Sequence, residues 1–172
     1  YINGNKVKSA GEKADTLNDE VAYKENIIKY IEFEYILLNK PAGVVSATED
    51  RKEKTVLDII DSKRKDLFPV GRLDKDTEGL LLLTNDGMLA HELLSPKKHV
   101  DKKYYVETDG LLTDEHRKLF KNGIKVDDEF TAKEAELQIL SSGDKGSKAY
   151  LTIREGKYHQ VKRMMEAVGN TV

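Results

Sequence analysis

The sequence predicts an α+β domain: a mostly antiparallel, mixed sheet flanked by helices. Apolar segments of strand length and amphipathic segments of helical length follow one another irregularly, without the regular alternation of a parallel doubly wound sheet. Pro-, Gly- and Asn-containing turns separate the segments. With 172 residues, 38% of them hydrophobic, the chain is long enough to bury a core and too apolar for disorder.

Residues 1–29 are highly charged, and Asn3-Gly4 signals a short hairpin followed by a connecting segment. From Tyr30 to Asn39, Ile31, Phe33 and Tyr35 alternate with Glu32 and Glu34 before the run becomes continuously apolar, which reads as one strand. Pro41 and Gly43 end it. Thr55 is placed to cap a short helix through Ile60. Leu67–Val70 and Leu80–Thr84 read as strands on either side of the loop Gly71–Gly79. Asn85-Asp86-Gly87 opens a helix that ends near Ser95-Pro96, and Lys103–Thr108 reads as a strand. Thr113 with Asp114 and Glu115 begins a helix through Phe120, since acids in a first turn complement its free amides. Glu129–Leu140 and Lys148–Arg154 read as two strands joined by a turn at 141–147. Tyr158–Val168 is an amphipathic helix with Gly169 as its stop.

Composition narrows the function. There is no cysteine, which removes disulfides and thiolate metal sites. The apolar run Leu80–Leu83 is far too short to span a bilayer, and no signal segment opens the chain, so a cytoplasmic protein without membrane contact is expected. Net charge is -2, so no global basic field marks a nucleic-acid partner. Lysines and arginines nevertheless concentrate at 97–103 and 144–163, where local phosphate neutralisation could occur. The absent initiator Met and the strand-like Asn170-Thr171-Val172 suggest a piece of a longer protein. The four histidines are scattered, which suits surface or packing roles rather than metal ligation.

The informative stretch is Gly71-Arg72-Leu73-Asp74-Lys75-Asp76-Thr77-Glu78-Gly79, two glycines bracketing five charged residues immediately before a buried strand. Such a loop displays polar groups against a rigid scaffold. From the pattern alone two readings stand: Asp74 or Asp76 caps a turn with Arg72 as its ion-pair partner, or the loop carries chemistry.

The full string GRLDKDTEGLLLLTNDG resembles the signature of bacterial ribosomal-RNA pseudouridine synthases of the RsuA family. Three further segments agree in order: LLNKPAGVVSAT at 37–48, KKYYVET at 102–108 and EGKYHQVKRMMEAVGN at 155–170. The resemblance covers residues 30–172 and implies a pseudouridine synthase fold. It implies Asp74 as the essential aspartate, Tyr104 as the active-site tyrosine, and Lys162 as the basic partner of the aspartate. Residues 1–29 resemble the tail of the RNA-binding domain that precedes the catalytic domain, 30–172, in this family.

The implied reaction converts a uridine to pseudouridine by breaking the base–ribose bond, rotating the base and rejoining it through carbon. No redox change occurs, so no cofactor and no metal are expected. An ionised carboxylate beside the sugar serves as nucleophile, base or charge stabiliser. Attack on the sugar and proton abstraction to a glycal both remain open. Lys162 would keep Asp74 ionised and aimed, or be a solvated helix lysine. Tyr104 would stack on uracil and handle a proton, or be a core aromatic; Tyr105 must face the other way. Arg72, Lys40, Lys103, Lys157 and Arg163 are the expected RNA contacts, with Arg72 equally suited to pairing with Asp76. The KPAGVVSAT and HQVKRM forms favour small-subunit (16S) rRNA as partner, for an enzyme acting as a monomer. The rivals are a large-subunit rRNA enzyme, a non-catalytic RNA-binding module, and a glycoside hydrolase using Asp74, Asp76 and Glu78. Carboxylates two residues apart sit too close to flank a sugar from opposite faces, which weakens the last.

Overall fold

The computed structural model describes residues 1–9 and 11–172. Its strands are β1 (Val21–Tyr23), β2 (Asn26–Ile28), β3 (Tyr35–Lys40), β4 (Phe68–Pro69), β5 (Gly79–Thr84), β6 (Lys102–Thr108), β7 (Ile124–Lys125), β8 (Thr131–Ala132), β9 (Glu136–Gly143) and β10 (Gly146–Ile153). Helices α1 (Gly87–Leu94), α2 (Asp114–Lys121) and α3 (Gln160–Glu166) are interspersed among them. All strand pairings are antiparallel, as the α+β reading requires.

Two three-stranded sheets carry two hydrophobic cores. In the sheet ordered β6-β10-β9, the inward residues Val106, Leu137, Ala149, Leu151 and Ile153 join Phe120 of α2 and Met164 and Met165 of α3. The alternation along β10 is strict: Ala149, Leu151 and Ile153 are buried, while Lys148 points outward. In the sheet ordered β3-β5-β4, Leu81 and Leu83 of β5 pack with Val44 and Val56, against Ile36, Leu38 and Leu73. Leu37 and Leu80 lie on the other, open face. The loop 71–79 belongs to this second core through Leu73. The first core carries Tyr104 on β6 and, through α3, Lys162.

Several elements depart from the sequence reading. Asn3 and Gly4 form the expected tight turn, both with positive φ. The extended hairpin is β1–β2, however, turned by Lys24 and Glu25, whose positive φ no Gly or Asn announces. The strand expected from Tyr30 begins only at Tyr35. Ile31 and Phe33 are exposed, and this stretch is held by Asn85, whose side chain donates to Glu32 O at 2.8 Å and accepts from Glu34 N at 2.9 Å. The helix expected after Thr55 is a single 3-10 turn, Leu57–Ile59, and Thr55 donates to the Asp58 carboxylate rather than capping with its own oxygen. The long strand from Glu129 is two, β8 and β9, because Ala135 N turns aside to bond Phe120 O at 2.9 Å. Helix α3 starts at Gln160 rather than Tyr158, with His159 in the left-handed region at φ 48°.

Candidate active site

The site lies between the two cores and begins with the loop that precedes β5. Gly71 (φ 84°) and Gly79 (φ 120°) bracket it in backbone conformations that side chains rarely adopt, which is why glycine stands at both ends. Between them the chain is tied down. Ser46 Oγ donates to Leu73 O at 2.8 Å and accepts from Leu73 N at 3.1 Å. Gly43 N donates to Lys75 O at 2.7 Å, and Thr77 N closes a turn on Asp74 O at 3.0 Å.

Beneath the loop lies Lys40, the last residue of β3, with 0% of its surface exposed. Its ammonium donates to the carbonyls of Thr77 (2.8 Å), Asp74 (3.0 Å), Pro41 (3.0 Å) and Lys75 (3.3 Å). Burial pulls its pKa below the usual lysine range, against the upward pull of Asp76, Asp74 and Glu78. This corrects the expectation that Lys40 touches RNA: it is sealed inside and fixes the backbone of the loop. A signal was present. Ile36, Leu38 and Lys40 share one face of β3, so strand alternation directs position 40 inward.

On the other side, α3 brings Lys162 to the loop. Its Nζ lies 3.9 Å from Asp74 Oδ2, and 2.6 and 2.7 Å from the two oxygens of Asp76. The expected partnership with Asp74 is therefore a near approach, and the direct ion pair is with Asp76. That pair holds the Asp76 carboxyl below its ordinary range. It also removes Asp76 as a partner for Arg72, which is exposed and makes no ion pair among the described residues.

His159, read from the sequence as a surface or packing residue, places Nε2 3.6 Å from Asp74 Oδ1. Its ring stacks on Tyr158 at 3.8 Å, and Tyr158 is itself largely exposed. His159 caps α3 from outside the helix, in the left-handed region, so helical spacing gave no signal of this approach. Tyr104 comes from the core-facing side of β6, opposite Leu151 of β10. Burial and the charge of Asp74 raise its pKa, so it remains a phenol, able to donate, throughout the neutral range.

The remaining expected RNA contacts divide. Lys157 is exposed beside α3. Lys103 lies on the opposite face of β6 from Tyr104, with its ammonium 4.2 Å from the centre of the Tyr150 ring; strand alternation sends it away from the site. Arg163 is committed within the protein: it pairs with Asp127, donates to Tyr158 O at 3.2 Å and lies 5.2 Å over the Phe130 ring. Lys103 thus faces away from Asp74, and Arg163 has partners of its own within the protein.

A half-buried carboxylate between an ammonium and an imidazole, close enough to a protonated tyrosine for its charge to be felt there, suits chemistry at a carbon that gains positive charge. Comparison with known proteins says which chemistry. Residues 34–167 match the family model described as RNA pseudouridylate synthase, and the chain belongs to that family. It is thus a pseudouridine synthase. An uncharacterised RNA pseudouridine synthase of Bacillus subtilis, YtzG, is 46% identical over 173 residues, covering 99% of this chain and 72% of that protein. Ribosomal small subunit pseudouridine synthase A of Yersinia pestis is 39% identical, covering 99% and 72%. Ribosomal large subunit pseudouridine synthase B of Bacillus subtilis is also 39% identical, covering 99% and 70%. A crystal structure of a pseudouridylate synthase superposes with a TM-score of 0.75 at 36% identity, over 100% of this chain and 73% of that one.

Proposed function

We propose that the enzyme converts a uridine of 16S ribosomal RNA to pseudouridine, with Asp74 acting at the ribose. The observation that carries the assignment is the meeting of Asp74 with Lys162 and His159, side chains 85 or more positions away in sequence, at the loop that precedes β5. The target nucleotide must leave its stack to bring its ribose to Asp74. The N1–C1′ bond breaks and a C5–C1′ bond forms, while C5 gives up its hydrogen and N1 gains one, so the product is an isomer and nothing is consumed. Asp74 meets the positive charge at the sugar as N1 departs. Lys162 and His159 limit where its carboxylate points. Tyr104, kept as a phenol, holds the base by its ring and supplies the hydroxyl for proton handling at C5. Arg72 in the loop and Lys157 beside α3, both exposed, bind RNA phosphates.

Residues 1–29, outside the matched family region, are assigned to an RNA-binding module, and 30–172 to the catalytic domain. The 16S assignment rests on the KPAGVVSAT and HQVKRM segments; small-subunit and large-subunit synthases are equally similar to the chain, at 39% identity each. The working compartment is the cytoplasm. The test maps pseudouridine in ribosomal RNA from a deletion strain carrying either the full-length gene or its Asp74→Ala form. One 16S site is expected to vanish on deletion and to return with the wild-type gene only. Return with the mutant would remove Asp74 from the mechanism, and loss of a 23S site instead would overturn the substrate assignment.

A further inference from the structure

We propose that Tyr158, stacked on His159, is a platform for the base of the nucleotide next to the target in the RNA strand. The inference rests on the assignment of Asp74 as the group that acts at the ribose. The two rings lie face to face, with centroids 3.8 Å apart and planes 19° from parallel. The inner ring, His159, places Nε2 3.6 Å from Asp74 Oδ1. The outer ring, Tyr158, is 69% exposed and belongs to neither core. A flat group laid on Tyr158 therefore continues a stack whose inner end stands beside the reactive carboxylate, where a nucleotide adjoining the target would lie.

The pair is held by its backbone. His159 takes φ 48°, uncommon for a residue that carries a side chain, and at this bend the two consecutive rings stack instead of diverging. Arg163 donates to Tyr158 O at 3.2 Å. The buried side chain of Gln160 accepts from Lys157 N at 2.8 Å and donates to the Glu155 carboxylate at 2.7 Å. A ring already placed loses little freedom when a partner settles on it, so more of the contact energy appears as affinity. Folding supplies a weak reason for such a ring, because so exposed a side chain removes little apolar area from water. RNA supplies a better one. Unpaired bases stack on aromatic faces whatever their identity, and extruding the target uncovers the faces of its neighbours. Lys157, exposed and adjoining in the chain, brings positive charge to the phosphate that accompanies such a base.

The experiment measures RNA affinity and single-turnover tritium release by the full-length enzyme, on a transcript labelled at C5 of the uridine that the deletion strain identifies. Either neighbour of that uridine is replaced by an abasic ribose, or by 2-aminopurine, whose fluorescence is quenched on stacking. Tyr158→Ala is expected to weaken RNA binding about tenfold, and Tyr158→Phe, which keeps the ring, to bind within about twofold of wild type. The abasic ribose at one of the two neighbouring positions should cost the wild-type enzyme the same factor and cost Tyr158→Ala nothing further. 2-Aminopurine at that position should be quenched by the wild-type enzyme and not by Tyr158→Ala. Unchanged affinity for Tyr158→Ala, an equal cost of the abasic ribose in both proteins, or a loss confined to the rate at saturating enzyme would each overturn the proposal. Asp74→Ala, run alongside, separates the two assignments. If it releases no tritium while Tyr158→Ala is silent, only the platform falls; if it releases tritium, the assignment of Asp74 falls, and the placing of the platform beside the target falls with it.

Discussion

The loop that carries Asp74 is gripped by two lysines, and the floor and the rim of that loop use the same side chain in opposite ways. On the floor, Lys40 is buried and bonds only carbonyl oxygens, four of them. At the rim, Lys162 keeps 28% of its side chain exposed and bonds only carboxylate oxygens. Neutral dipoles cannot discharge a buried ammonium, but they can surround it, and in return it orders the backbone that supplies them. Carboxylates at the rim sit in partial solvent, where a pair is weak and exchangeable. Lys40 therefore holds the loop from within while Lys162 meets it at the solvent edge, and the difference lies in surroundings rather than residue type.

The sharpest way to break this comparison is Lys40→Met. Methionine fills the volume but leaves the inward carbonyls of Pro41 and Thr77 without a donor, and those of Asp74 and Lys75 with only Thr77 N and Gly43 N. Unfolding free energy is expected to fall by about 3 kcal/mol, with the midpoint of urea denaturation as the readout. Activity should fall with it, because Asp74 loses its fixed backbone. Lys162→Met should leave the denaturation midpoint within about 0.5 kcal/mol of wild type and lose turnover only. If the two variants behaved alike in denaturation, the division between floor and rim would be wrong.

Tyr104→Phe sharpens the contrast from the other core. The ring still fills its place beside Leu151, so denaturation should be unchanged. Turnover should drop by about 100-fold or more, the usual scale for losing a positioned proton-transfer group. Since burial and Asp74 both hold the phenol protonated, the activity of the wild-type enzyme should not decline between pH 7 and 9 on account of this residue. A phenylalanine variant with full turnover would reduce Tyr104 to packing.

How much of this was legible in the sequence follows the same division. Strand alternation and caps identified β5, β6, β10 and the helices closely, because each satisfies its own hydrogen bonds and buries a periodic face. Residues 30–34 read as strand because Ile31, Phe33 and Tyr35 alternate as a strand would, while the hydrogen bonds that decide the matter come from Asn85, more than fifty residues away. The pattern alone marked the loop that bears Asp74, and the family resemblance pointed to Tyr104 on β6 and Lys162 on α3. Its electrostatics were not. That Lys162 prefers Asp76 over Asp74, that His159 turns toward Asp74, and that Arg163 is taken by Asp127 all depend on where α3 lands on the loop. No local pattern encodes that docking.

A smaller effect concerns acid. The Asp76 carboxyl lies below its ordinary value of 3.8 because Lys162 bonds the ionised form. For a carboxyl lowered in this way, the contact is fully present above the unfolded value and is lost as pH falls through the lower folded one. Across pH 5 to 8 the ratio of Asp76→Asn to wild-type rates should therefore stay constant. A ratio that changes within that range would mean that another group governs the rim.

The smallest expected effect separates two arginines that the sequence could not. Arg72 is exposed in the loop and free of ion pairs among the described residues, whereas Arg163 is bound to Asp127 and to Tyr158 O and lies over Phe130. A phosphate contact adds about one to the slope of RNA affinity against salt, because one more counterion is released. Arg72→Ala should lower that slope by about one, weaken RNA binding several-fold and leave unfolding unchanged. Arg163→Ala should leave the slope where it is and cost roughly 1 kcal/mol of stability, since a half-buried guanidinium with a ring beneath it and two oxygen partners does its work inside the protein. Were the slopes to change the other way round, RNA would have to displace Asp127 from Arg163, and the rim would extend along α3 well beyond the loop.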